Sequence, residues 1–533
     1  MIQFTVILLA FALGALAPPV ARAGDRTNLP LKNWGGFSVF RDSVYDDLER
    51  LVTAGLGDRV LLNTKPLSRI EAARIVARAI EKIRSDTTGA YNMRRDLEPI
   101  LDRLTEEFRA ELAALGVKGP RELGPAPGFF TFFPVDRAQV RAGYASRDLS
   151  FVNSQGLRFQ RGANGGTTFE SRAQIGDLLT FYLQPELQGN EEFAAARLAA
   201  GYAKLTLYNL ELLVGRDSLW WGPGLHGSLI FSNNAPPLDQ VRIGVAEPFL
   251  LPLVGKWVGP TKFLFFLAQL EARRDHPRAK LAGMRATISP FSFLELGASR
   301  AVQFDGTDRP RLAVRNYPEA IFKPPSGDDR GAEPEFRNNQ LGAIDVALRL
   351  PNVSRLGLPV QDLGLYGEMG WDDTCCNDMW VPLKEALSFL IGGYLVGPFG
   401  MPSVTVRAEY ANTSSLSFRH DQFTSGYWTQ GKVISHFIGT EGRDYFARVT
   451  DRLTPDLMLG LEVNRAVIGS TVAGFSGPKE RRVGGGIDLS YRFWDKFSLF
   501  GAYQLINVAN RNFRSGDDGL DHLVRVELTR SFR

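Results

Sequence analysis

The sequence predicts an all-β transmembrane barrel of about 18 antiparallel strands, preceded by a small N-terminal α-helical bundle on the periplasmic side. Three observations lead there. Near residue 137 the hydrophobic period changes from that of a helix to that of a strand, and it keeps that period to the C-terminus. Within this region one face of each stretch is apolar, while the other carries Arg, Glu and Asp. The links between stretches alternate between short and long.

Composition agrees. The 533 residues hold 62 Lys plus Arg against 58 Asp plus Glu, a formal charge of +4. No broad basic field results, so nucleic acid is not an expected partner. With 44% hydrophobic and 23% charged residues, the chain is not disordered. Its 54 Gly and 36 Phe suit a β-rich protein with many turns. The 2 cysteines, Cys375 and Cys376, are adjacent and staple no long loop. The 5 His are scattered, so neither a metal nor a cofactor is expected.

The first element is an address. Thr5 to Leu16 is apolar, Pro18-Pro19 follows, and Ala21-Arg22-Ala23 fits a signal-peptidase site before Gly24. Residues 1–23 are therefore read as a cleaved signal peptide, although the n-region holds no Lys or Arg. No later run is long and apolar enough for a membrane-spanning helix.

Residues 24–116 form the predicted helical bundle, a candidate plug. Ser43 caps a first helix, with Val44, Leu48, Leu51 and Val52 on one face and Gly55 at its stop. Thr64 and Pro66 open a second over 65–84. A third, over 96–115, carries Leu97, Ile100, Leu101, Leu104, Phe108, Leu112 and Leu115 on one stripe. The stretch Pro66 to Ala73 resembles one S-layer-homology unit, which leaves both packing and cell-wall polymer binding open. Residues 117–136, with Pro120, Pro125 and Pro127, read as a linker.

Residues 137–533 are the predicted barrel. In Val404 to Tyr410, Val404, Val406, Ala408 and Tyr410 oppose Thr405, Arg407 and Glu409. In 457–464, Leu457, Leu459, Leu461 and Val463 oppose Glu462 and Asn464. A soluble sandwich also alternates, but it does not bury charges repeatedly on one face. Short links fall at 289–291, 397–402, 452–456 and 494–496, long ones at 303–340, 372–386, 414–442, 467–481 and 508–519. The last strand ends in Phe532-Arg533.

A barrel of this size holds an aqueous channel unless something fills it. Its inward charges include Glu170, Arg172, Arg285, Glu368, Arg407, Glu409, Arg448, Glu462, Asp488, Arg525 and Glu527. Both signs occur, so the groups can pair across the lumen. A one-sign lining would favour an ion-selective pore.

One segment breaks the alternation: Arg216, then Trp220-Trp221-Gly222-Pro223-Gly224, then Ser232-Asn233-Asn234. A Trp pair beside Gly-Pro-Gly cannot continue a ladder. Trp rings stack on sugars and Asn and Ser bond hydroxyls; equally, the pair can brace the wall. At this spacing these residues resemble the signature of the Wzi-type capsule assembly outer-membrane protein family, and the order of export signal, bundle and barrel is similar too. The resemblance implies a lectin-like, non-enzymatic outer-membrane barrel of eighteen strands that binds exported capsular or extracellular polysaccharide and helps attach and assemble it at the cell surface. Expected partners are then the polysaccharide, outer-membrane lipids and the polysaccharide export machinery, with the chain a monomer.

Two other functions stay on the page. A carbohydrate-selective porin would show one-sign charge with aromatic rails. A hydrolase would need a nucleophile with a base; His226 and Ser228 lie close in sequence, but no Gly-x-Ser-x-Gly elbow surrounds Ser228. Arg309, Arg311, Arg315, Lys323 and Arg330, alongside Asp305, Asp308, Asp328 and Asp329, form either a solvated loop or a surface for an acidic glycan. Cys375-Cys376 read as a vicinal disulfide or two free thiols.

Overall fold

Eighteen antiparallel strands close a barrel in sequence order in the computed structural model, which describes residues 24–31, 43–86, 94, 96–117, 123–124, 126–322, 334–372, 387–494 and 496–532. The predicted signal peptide, Cys375-Cys376, and Lys323, Asp328, Asp329 and Arg330 lie outside the described residues. The first nine strands are β1 (Phe130–Ala145), β2 (Gly162–Ile175), β3 (Leu179–Gly189), β4 (Ala194–Leu207), β5 (Leu210–Asp217), β6 (Leu238–Val245), β7 (Pro260–Gln269), β8 (Lys280–Phe291) and β9 (Leu294–Phe304). The rest are β10 (Asn339–Leu350), β11 (Asp362–Asp372), β12 (Leu387–Val396), β13 (Val404–Asn412), β14 (Arg443–Arg452), β15 (Leu457–Ile468), β16 (Glu480–Phe493), β17 (Phe497–Ala509) and β18 (Gly519–Ser531). Closure is the β18–β1 ladder, from Arg137↔Ser531 to Ala145↔Leu523.

Two-residue periodicity decides which side chain faces which way. On β15, Leu461 and Val463 are 48% and 61% exposed, while Glu462 between them is 4% exposed. On β18, Val524, Val526 and Leu528 face out, and Arg525 and Glu527 face in. Apolar-out and charged-in is the arrangement of a barrel solvated by lipid. Every member of the inward set read from the sequence is buried.

Among the described residues, four helices precede the wall: α1 (Ser43–Thr53), α2 (Arg69–Arg84), α3 (Glu98–Glu107) and α4 (Arg109–Ala114). Leu48, Leu51, Val76, Ile80, Leu104, Phe108 and Leu112 share one core, and Trp220, Leu225 and Phe446 of the barrel interior belong to it. The bundle sits at the short-link end: Arg50 donates to the Pro402 carbonyl at 3.0 Å and Arg103 to that of Pro455 at 2.8 Å. The extended stretch 24–31 lies between α2 and the wall. Arg69 N–H donates to Thr27 O at 2.8 Å, and the Lys204 ammonium donates to Arg26 O at 2.7 Å.

Three boundaries differ from the sequence reading. The second helix starts at Arg69, not residue 65. Ser68 and Glu71 form a reciprocal capping box there, while Lys65, placed before Pro66, is held out of the helical region. Thr64 and Lys65 instead pair as a short strand with Trp221 and Trp220. The third helix breaks at Phe108, whose backbone leaves the helical region at φ −107°, ψ 22°. The first barrel strand begins at Phe130, inside the stretch read as linker. Its ladder shifts register between Phe133 and Arg137, around Pro134, and that bulge hides the alternation.

Candidate functional site

The inward charges meet as complete sets. Arg285 on β8 donates to Asp345 on β10 at 2.8 Å, to Thr64 Oγ1 at 2.7 Å and to Asn63 O at 3.1 Å. Arg349 donates to Glu295 at 3.0 Å. Arg448 on β14 bridges Glu462 (2.8 Å) and Asp488 (2.7 and 2.9 Å) on the next two strands. Arg407 reaches Glu49 of α1 and lies 4.2 Å over the Tyr394 ring. Arg172 pairs with Asp136 at 3.1 Å. Arg525 lies 3.4 Å from Glu527. Several of these sets run from wall to bundle. They tie the bundle to the wall as well as pairing charges inside the barrel.

Glu368 and Glu409 do something different. Glu409 accepts from Leu225 N–H at 2.6 Å, from His226 N–H at 3.0 Å and from the Tyr366 hydroxyl at 2.8 Å. Glu368 accepts from Leu229 N–H at 3.1 Å. The inserted segment 218–236 therefore hangs inside the lumen from two wall carboxylates by its own backbone N–H groups.

The signature residues lie in that segment, apart from Arg216. Trp220 and Trp221 are both 0% exposed. Trp220 Nε1 donates to Gly224 O at 3.1 Å. Trp221 packs edge-on against Phe231 and Phe266, with ring centroids 4.6 and 5.6 Å away. Gly222 has φ +131°, and a Cβ there would stand 2.8 Å from Glu368. At Gly224 a Cβ would strike the Gly227 carbonyl. Pro223 between them is buried. Ser232 donates to Ser435 O at 2.6 Å, Asn233 to Leu31 O, and Asn234 to Val433 O at 2.9 Å. These three tie the segment to the N-terminal stretch and to the inward-folded link 413–442. Arg216 does not join them. It shares the outer face of β5 with exposed Leu212 and Val214 and forms a two-pronged pair with Asp239 at 2.6 and 2.7 Å.

The Ser228 hydroxyl bonds the Trp221 carbonyl, and His226 Nδ1 bonds Asp444 at 2.7 Å. His226 stacks on Phe446 at 4.1 Å. Burial works against a charge on its ring, but Asp444 opposite Nδ1, with Glu409 and Glu462 beyond, holds its pKa above the usual histidine value. Burial pushes the neighbouring His436 down to about 4 despite Asp444, so it is neutral at ordinary pH.

Above His226, at the long-link end, a cleft opens. Leu149, Phe151, Phe437, Ile506, Val508 and Leu523 form its apolar wall. Asp148, Glu480, Arg482, Arg511 and Asp521 ring it, and His226, Asn464 and Gln504 lie deeper. Both arginines are engaged: Arg482 with Glu480 at 2.5 Å, Arg511 with Asp521 at 2.7 and 2.8 Å. An apolar wall beside bonded polar groups is the general make-up of a small-molecule site. Sequence reading missed this cleft because the link 146–161 and the segment 218–236, which strand alternation does not mark, supply part of its lining, while Asn464, Arg482, Gln504 and Leu523 come from four different strands. It also missed Asn63, Thr64, Glu49, Glu295, Asp345 and Arg349. The last three sit at inward period-two positions, where the strand alternation could have found them.

Fold and site together define a closed, membrane-spanning β-barrel whose interior is entered by its own N-terminal helices and inserted segments. The chain belongs to the capsule assembly protein Wzi family, whose model matches residues 137–523. An uncharacterized 55.8 kDa protein from the cps region of Klebsiella pneumoniae is 28% identical over 344 residues, covering 63% of this chain. The match spans only 58% of that protein's own length. Wzi of Escherichia coli, an outer membrane protein involved in group 1 capsule assembly and a carbohydrate-binding β-barrel, has the same fold: TM-score 0.66, 20% identity, 93% of this chain and 99% of that one.

Proposed function

We propose that this chain is an outer-membrane protein that binds capsular or other exported polysaccharide at the long-link mouth of a closed barrel and holds it at the cell surface. The filled lumen carries this reading. Bundle, segment 218–236 and link 413–442 occupy the interior, so polymer meets the protein at its mouth. Family membership and the E. coli Wzi neighbour, a carbohydrate-binding barrel, support it. The bundle and the short links then face the periplasm, where the export machinery is the natural partner, and the chain acts as a monomer without an enzymatic step. Family membership gives the porin alternative less support.

Deleting the protein should move polysaccharide from the cell-bound to the medium fraction, with total synthesis unchanged; unchanged cell-bound polymer would refute the reading. Sidedness has its own check. In a Cys375→Ser/Cys376→Ser background, a cysteine at exposed Ala313 should label from outside intact cells, and one at exposed Trp494 should not. The reverse pattern would invert the topology.

A further inference from the structure

We propose that the cleft at the long-link mouth is a subsite for an uncharged sugar residue, one of whose hydroxyls is taken up by the ring nitrogen of His226 and the side-chain amide of Gln504. This rests on the reading that the chain binds polysaccharide and adds which residue chemistry it selects and where.

Two residues lining this cleft each carry a buried polar atom without a hydrogen-bond partner among the described residues: His226 at Nε2 and Gln504 at Nε2. They are 1% and 2% exposed. A buried polar group left unpaired is costly, so these two atoms mark where a ligand group belongs. Because Asp444 accepts at Nδ1, that nitrogen carries the ring hydrogen. Nε2 then accepts when the ring is neutral and donates when it is protonated. A hydroxyl both donates and accepts, so it fits either state. A carboxylate fits only the protonated one.

Charge around the cleft argues the same way. Asp148, Glu480 and Asp521 line it against Arg482 and Arg511, and both arginines are already paired with carboxylates. Asp444, Glu409, Glu462 and neutral His436 surround His226 from the other side. An acidic sugar would enter a ring richer in carboxylates than in guanidinium groups. The apolar wall, Ile506 and Leu523 among it, suits the C–H face of a pyranose.

The test measures binding of full-length protein in detergent to polysaccharide sheared from the cells that make it, before and after chemical reduction of its carboxyl groups to alcohols. Wild type is expected to bind both forms with similar affinity. Ile506→Trp fills the cleft and removes no hydrogen bond; Gln504→Ala removes a side chain whose Nε2 has no partner. Each should weaken binding about tenfold while the barrel still folds, as judged by its shift on unboiled gels. Arg311→Ala/Arg315→Ala, on the exposed long link, should bind as wild type. Wild-type binding by both cleft variants would overturn the subsite alone. Loss of binding on carboxyl reduction, or affinity that falls as pH rises through the His226 titration, would overturn its neutral selectivity. Failure of wild type to bind either polymer would refute the parent reading instead.

Discussion

Replacing Arg448 with alanine is expected to destabilise the folded barrel by about 3–5 kcal/mol, because it takes the bridging guanidinium away from two buried carboxylates, Glu462 and Asp488. The cost comes from the groups left behind more than from the bond removed. Arg448→Lys should recover only part of it, since a single ammonium cannot reproduce the fork that holds Asp488 through two nitrogens. Guanidinium titrations followed by the band shift of unboiled protein measure both. A loss below about 1 kcal/mol would mean that water reaches this set, as at a surface ion pair.

Trp221→Ala should cost a similar amount, about 3–5 kcal/mol, through the cavity left between Phe231 and Phe266. The yield of heat-modifiable barrel should fall, while the assembled fraction keeps cell-bound polysaccharide. Trp220 belongs to the same interior: its indole N–H is spent on Gly224 and its ring on the bundle core. Normal barrel levels with released polysaccharide would assign these rings to the sugar and refute the bracing role. Measuring both quantities on the same cultures separates the outcomes.

These residues show what the sequence made legible. Strand count and facing could be read because lipid on one side and buried ion pairs on the other impose a strict two-residue alternation, as Leu461, Glu462 and Val463 display. The start at Phe130 could not, because a bulge at Pro134 interrupts that period. Trp220-Trp221-Gly222-Pro223-Gly224 stood out as a break, but either stacking or bracing satisfied the pattern, which carries no sign that both rings are buried. Arg216 looked like part of the set because it is near in sequence, yet strand alternation turns it to the outer face beside Asp239. The bundle's anchors, Asn63 with Arg285 and Glu49 with Arg407, join residues hundreds of positions apart. Such contacts depend on how the bundle enters the barrel, and no local pattern encodes that.

A closed lumen underlies both the surface-binding reading and the roles given to the inserted segments. Planar-bilayer recording of the purified, folded protein tests it most directly. The expected result is no steady conductance above the lipid baseline in either orientation. Large, stable, voltage-persistent channels would contradict it and return the barrel to the class of sugar-conducting pores.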